Sequence, residues 1–250
     1  VQGLQRFVKA QPQDVVVRSA LIDTLLSAGQ NEAALQSARE GLAAAPNHPG
    51  LVYLTGRAHL LNNQPAEALR LFGQVDVLLP GSPLGPLGRA EAAWRARDPA
   101  AAASELRLAV ERAPQHPEVR RLEHAVALGS GRLDQALAAA RALQSAAPAD
   151  ALGFALEGEA HLQARRWAEA AAAFERALQR ARSSRHAIQR HLALLNAGRS
   201  DEAQRFAQAW LARWPEEVAL RMHLGDVAGA QGRWAEAEAQ YREVTKRRPQ

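Results

Sequence analysis

The feature that most limits what this chain can fold into is a period. Prolines stand at Pro12, Pro46, Pro80, Pro114 and Pro148, each 34 residues after the last, and again at Pro215 and Pro249, 34 apart. A repeat of this length marks copies of one supersecondary unit, each able to bury its apolar face only against its neighbours. Between the prolines the chain is rich in Ala, Leu, Arg and Glu and poor in β-branched and aromatic residues, a bias toward helix over strand. Hydrophobic residues make up 47% of the whole, enough for a continuous core. The expectation is an all-α stack of antiparallel helix pairs, with no sheet.

Counted from the third residue after each proline, seven full repeats fall at 15–48, 49–82, 83–116, 117–150, 151–183, 184–217 and 218–250. Residues 1–14 read as the second helix of a truncated repeat, because Leu4, Phe7 and Val8 share one helical face. The chain opens at Val1 in mid-repeat, so an excised piece of a longer array is expected, with any targeting segment cut away. The fifth repeat is one residue short, and Arg182 stands about where its proline is due. Within each unit a short turn separates two helices: Ala28-Gly29-Gln30, Asn62-Asn63-Gln64-Pro65, Arg97-Asp98-Pro99, Ser130-Gly131-Arg132, Arg165-Arg166-Trp167, Ala197-Gly198-Arg199 and Gln231-Gly232-Arg233. Glycine there ends one helix in the left-handed conformation, and Pro65 and Pro99 suit the first turn of the next. Links this short make neighbouring helices antiparallel.

Position 20 of the seven units is Ala34, Ala68, Ala102, Ala136, Ala170, Ala203 and Ala237. Position 8 is small in four, as Gly56, Ala90, Gly158 and Gly225, and position 24 is aromatic in three, as Phe72, Phe174 and Tyr241. The pattern resembles the tetratricopeptide repeat over the whole chain, and the resemblance implies a right-handed superhelical solenoid of about 15 helices. The physics agrees: small residues let two helices cross closely, and a large residue at position 24 fills the gap toward the next hairpin. Ile22, His124 and His191 depart from the pattern at position 8, which leaves the register of the first helix open in those units.

Composition excludes several functions. There is no cysteine, hence no disulfide, thiol catalysis or thiolate metal site. No run of about 18 apolar residues exists to span a membrane. The formal charge is +5, and since only Lys9 and Lys246 are lysine, arginine supplies 29 of the 31 basic residues (31 − 2). That bias, with the alanine excess, looks like a GC-rich bacterial gene. The arginines alternate with Glu and Asp, which favours a solvated mixed-charge surface over a nucleic-acid site. The eight histidines are scattered, and the nearest pair, His186 and His191, is spaced i, i+5 rather than the i, i+4 of a helical metal site. No phosphate loop, nucleophile elbow or paired catalytic carboxylates appear, so the expectation is no enzyme, no metal and no cofactor.

Trp167 and Trp234 open second helices, where the core is the expected place for them. Trp94 is different. The resemblance implies that positions 2, 5, 9, 12 and 13 of the first helices line a concave wall, and there the sequence places Tyr53, Arg57, Leu60, Leu84, Leu87, Glu91, Trp94, Arg95 and Arg121. An apolar strip rimmed by charge suits a protein or peptide partner, with aromatic and arginine anchors. Self-association, or cover by the rest of the array, is the alternative. The family's carboxylate clamp of lysines and asparagines is not expected, since its positions hold Val16, Ser19, Asp23, Gly50, Tyr53 and Arg57. At the other end, Val218, Leu220, Val227, Tyr241 and Val244 are expected near an uncovered face.

The last two units, with Ala197-Gly198-Arg199-Ser200-Asp201-Glu202-Ala203 and Ala209-Trp210-Leu211-Ala212-Arg213-Trp214-Pro215, are similar to tetratricopeptide lipoproteins that accompany bacterial exosortase/PEP-CTERM sorting and exopolysaccharide production. They also resemble the periplasmic arrays of cellulose and alginate secretion. That resemblance implies a periplasmic or outer-membrane-anchored scaffold. A cytoplasmic regulatory scaffold and an array attached to a glycosyltransferase are the alternatives.

Overall fold

The computed structural model describes residues 1–247; Pro249 and Gln250, which close the last repeat in the sequence reading, lie outside the described residues. Among those described there are fifteen α-helices and no strand: α1 Gln2–Ala10, α2 Val15–Ser27, α3 Asn31–Ala44, α4 Pro49–Leu61, α5 Pro65–Leu78, α6 Leu84–Arg95, α7 Pro99–Arg112, α8 Pro117–Gly129, α9 Leu133–Ala146, α10 Leu152–Gln163, α11 Trp167–Arg180, α12 Ser184–Asn196, α13 Ser200–Arg213, α14 Val218–Ala230 and α15 Trp234–Arg247. None is long and apolar enough to cross a membrane. The chain divides into two compact units, Val1–Ser130 and Gly131–Gln250.

Local chemistry sets the helix boundaries. Pro49, Pro65, Pro99 and Pro117 each open a helix, where the missing N–H has no intrahelical acceptor to lose. Asp14, Asp98 and Ser183 accept hydrogen bonds from the exposed N–H groups of α2, α7 and α12, as N-caps do. Left-handed residues end the first helices. Four are the expected glycines, such as Gly29 at φ +71°, but Asn63, Arg97 and Arg165 take the same conformation at +58°, +60° and +55°. Asparagine tolerates that region, whereas each arginine meets a Cβ clash that glycine avoids.

In the first unit each helix packs on the next, and α2, α4, α6 and α8 also contact one another in a row. In the second unit α9 packs on α10, α10 on α11 and α11 on α12, while α14 contacts both α12 and α15. All seven position-20 alanines are buried, six of them completely. At position 8 a Cβ built on Gly56 would lie 2.6 Å from Phe72 Cε1, on Gly158 2.7 Å from Phe174 Cε1, and on Gly225 2.5 Å from Tyr241 Cε1. The aromatic ring thus occupies the space of the missing side chain in its own pair. Phe72 is enclosed on its far side as well, since a Cβ on Gly88 of α6 would lie 2.4 Å from its Cδ1.

The three departures keep the same facing: Ile22, His124 and His191 are all buried. The pairs α4/α5, α6/α7, α10/α11 and α14/α15, whose position 8 is Gly or Ala, are in more extensive contact than α2/α3 and α12/α13, whose position 8 is Ile22 and His191.

Two expectations of burial need correction. Trp234 does not enter a core but is 71% exposed, and Trp167 is half-buried. The face of α15 that holds Trp234 has no helix beyond it among the described residues. Leu220, expected near an uncovered end, is fully buried against Ala187 and Trp210; its side of α14 faces back into the stack. Arg182, in the place of a proline, lies 5.2 Å from the Trp214 ring centre and bonds the Glu217 carboxylate at 3.2 Å.

Candidate functional site

Because α4, α6 and α8 lie in a row, the residues they turn away from their second helices form a wall. A hollow of about 380 Å³ opens on it, lined by Tyr53 and Arg57 from α4, Leu87, Glu91, Trp94 and Arg95 from α6, and Glu118, Arg121, Leu122 and Ala125 from α8. Seven of the nine residues singled out in the sequence meet here. Leu60 and Leu84 do not. Leu60 packs into the core with Ala68, Phe72 and Ala92, and Leu84 lies against Val52, Leu71 and Val75.

The expected strip of exposed leucine is therefore absent. Leu87 is itself only 3% exposed, packed on Ala109 and Val119. The row of first helices closes over these aliphatic side chains, which serve the contact between repeats. Apolar surface in the hollow comes from the half-buried Tyr53, Trp94 and Leu122 and from the exposed Ala125. Tyr53 is positioned by the core, its ring centre 5.9 Å from that of Phe72. Burial pushes its hydroxyl pKa up, so it remains a neutral phenol. Trp94 rests on the end of α8, where a Cβ on Gly129 would lie 2.5 Å from the indole Cη2. Only glycine leaves the indole that space.

Charge surrounds the rings. Arg57 reaches Glu91 at 3.6 Å and Asp23 at 3.4 Å, Arg95 reaches Glu91 at 3.5 Å, and Arg121 holds Glu118 at 2.6 Å. Burial acts to raise the Glu118 pKa, but the hydrogen bond from Arg121 and the charges of Arg121 and Arg57 outweigh it and hold the carboxyl below its usual range. Three arginines thus face three carboxylates already paired with them. The three arginines expected from sequence as charged anchors all lie here, each held in an ion pair. Glu118 and Ala125, unnamed in the sequence reading, sit at positions 2 and 9 of their helix, the wall positions already assigned in neighbouring repeats. Leu122 sits at position 6, which that rule does not cover.

The histidine pair that forms is not the one nearest in sequence. His191 Nδ1 and His223 Nε2 lie 3.0 Å apart, joining α12 to α14. Burial, and after it the neighbouring His223, pushes the His191 pKa down to about 4. Two neutral imidazoles share this contact, one donating and one accepting. Among the described residues no group of three or more His, Asp or Glu is placed to hold a metal ion.

Helix pairs repeated around buried alanines in both units, with the first helices of the first unit forming a wall, define an all-helical repeat fold consistent with a protein-interaction scaffold. The chain belongs to the tetratricopeptide-repeat family, whose sequence models match residues 25–85, 126–185 and 190–250. No curated protein matches it in sequence. Solved structures of similar fold include PilW, a type IV pilus biogenesis factor, at 14% identity over 83% of this chain and 97% of that one, with a TM-score of 0.64. A thermophilic TPR protein of Thermus thermophilus is 22% identical over 72% of this chain and 99% of its own, with a TM-score of 0.62. A chain of the APC/C hetero-tetramer Cut9-Hcn1 is 15% identical over 88% of this chain, with a TM-score of 0.62. This chain spans 45% of that one.

Proposed function

We propose that the chain is a non-enzymatic scaffold whose wall of first helices, α4, α6 and α8, receives a segment of a partner protein. The observation that carries this reading is the pair of half-buried rings, Tyr53 and Trp94, held on helices beside Arg57, Arg95 and Arg121 and the carboxylates paired with them. Aromatic side chains fixed in advance lose little entropy on binding and dominate most interfaces. Because the charges are paired, the partner segment that fits carries both signs around an apolar residue, and exchanges ion pairs rather than supplying one sign. We place the scaffold in the bacterial envelope, in exopolysaccharide export or protein sorting, on the resemblance of its last two repeats to proteins of those systems.

The test is a pull-down from envelope extracts with the parent chain and the double variant Tyr53→Ala, Trp94→Ala. Loss of two aromatic hot spots is expected to weaken binding by about 2–4 kcal/mol, with helix content unchanged by circular dichroism. Recovery of the same partners in the same amounts by both proteins would remove the hollow from the function.

A further inference from the structure

A second hollow, of about 350 Å³, lies in the other unit between α13 and α15, over α14. It is built largely on second helices, so it does not belong to a wall of first helices. His191 lines it.

Its chemistry is unlike that of the Tyr53 hollow. Gln204 and Gln208 come from α13, Gln231 from the turn after α14 and Gln240 from α15, above a floor of Leu211, Leu224 and Val227. Arg233 and Glu236 pair with each other, and Gln231 also accepts from Arg233. The groove thus presents no net charge. It presents amides instead, each of which both donates and accepts. Gln240 Oε1 has no hydrogen-bond partner within the chain.

The spacing of the amides selects the ligand. Gln204 and Gln208 are four residues apart on one helix, a rise of about 6 Å. An extended peptide repeats its outward main-chain groups every second residue, about 6.6 Å. Successive glutamines therefore meet successive main-chain groups of such a segment. An aliphatic floor takes small apolar side chains and offers no aromatic face for a sugar ring.

We propose that this groove binds an extended, uncharged peptide segment, with Gln204, Gln208 and Gln240 hydrogen-bonding to its main chain and aliphatic side chains seated on Leu211, Leu224 and Val227. The binding is independent of the Tyr53 hollow. The experiment selects a displayed library of uncharged pentapeptides against the full chain, then measures the enriched sequences as N-acetylated, C-amidated peptides. The expected result is enrichment of small aliphatic residues at alternate positions. Binding is expected to fall at least tenfold in Gln204→Ala, Gln208→Ala, Gln240→Ala, to fall less in Gln208→Ala alone, and to be unchanged in Tyr53→Ala, Trp94→Ala. Equal binding by parent and triple variant overturns the proposal, provided that circular dichroism shows the same helix content. Failure of any peptide to enrich overturns it too, as does a maltooligosaccharide that shifts the glutamine side-chain amide resonances while the peptides do not.

Discussion

The same substitution at the same position of two repeats is expected to be costly in one and nearly neutral in the other. Gly56→Ala and Gly225→Ala each add one methyl group at position 8, against Phe72 and Tyr241 respectively, with nearest approaches of 2.6 and 2.5 Å. On contact distance alone the two are equal. They differ in what lies behind the ring. Phe72 is fully buried, and a Cβ position on Gly88 of α6 lies 2.4 Å from its Cδ1, so the ring has nowhere to go. Tyr241 is 36% exposed and can swing outward, giving up the hydrogen bond from its hydroxyl to Asp226 at 2.8 Å. Overpacking a rigid core costs about 1–3 kcal/mol, and the clamp on both sides of Phe72 argues for the upper end. Replacing Gly by Ala inside a helix returns about 1 kcal/mol. The net expectation is a loss of about 2 kcal/mol for Gly56→Ala, and a change within about 0.5 kcal/mol of zero for Gly225→Ala, where an exposed hydrogen bond of about 1 kcal/mol is traded for helix propensity. Gly73→Ala is the control, since nothing lies within 4 Å of its Cβ position; it should gain about 0.5–1 kcal/mol. Urea titration followed by circular dichroism gives the global change. Hydrogen exchange of α4 to α6 gives the local one, which matters because repeat arrays need not unfold in one step. If Gly56→Ala proves as benign as Gly225→Ala, the clamp between Gly56 and Gly88 is not what holds Phe72.

Arg97→Gly and Arg165→Gly should each stabilise by about 1 kcal/mol, since both arginines occupy left-handed backbone at φ +60° and +55°; a lower melting temperature for either variant would count against this. Stability should also depend on pH through His191, with a sign that follows from its depressed pKa. The folded state disfavours the imidazolium, so the unfolded chain binds the proton more tightly: the contribution is fully present above the ordinary value of 6.5 and is lost as pH falls toward about 4. A shift from 6.5 to about 4 corresponds to about 3 kcal/mol. His223, also lowered by burial, titrates with it as a pair. Because carboxylates titrate in the same range, the measurement is the difference in urea midpoint between the parent and His191→Asn. That difference should shrink from pH 7 to pH 4.5, and a constant difference would refute the linkage.

The sequence by itself determined the helix pairs, because each rests on information local to about 34 residues. Proline opens a helix, a left-handed residue closes it, and an alanine at position 20 marks where two helices meet. The hollow was legible in large part for the same reason: a wall rule repeated along the first helices names Tyr53, Arg57, Glu91, Trp94 and Arg121 without knowledge of neighbours. What the tertiary structure decided is whatever depends on the next helix along. Leu60 and Leu87 read as surface on a single helix and are buried by the row of first helices. Trp234 reads as core by analogy and stands in the open, because no helix among the described residues covers that face of α15. Arg57 reads as a charged anchor, and its pairing with Asp23 and Glu91, 34 residues away on either side, is visible only in the structure. His191 and His223 meet across 32 residues, a distance no helical periodicity reports. A repeat encodes its own hairpin, but burial and ion pairing are set by the surfaces that its neighbours present.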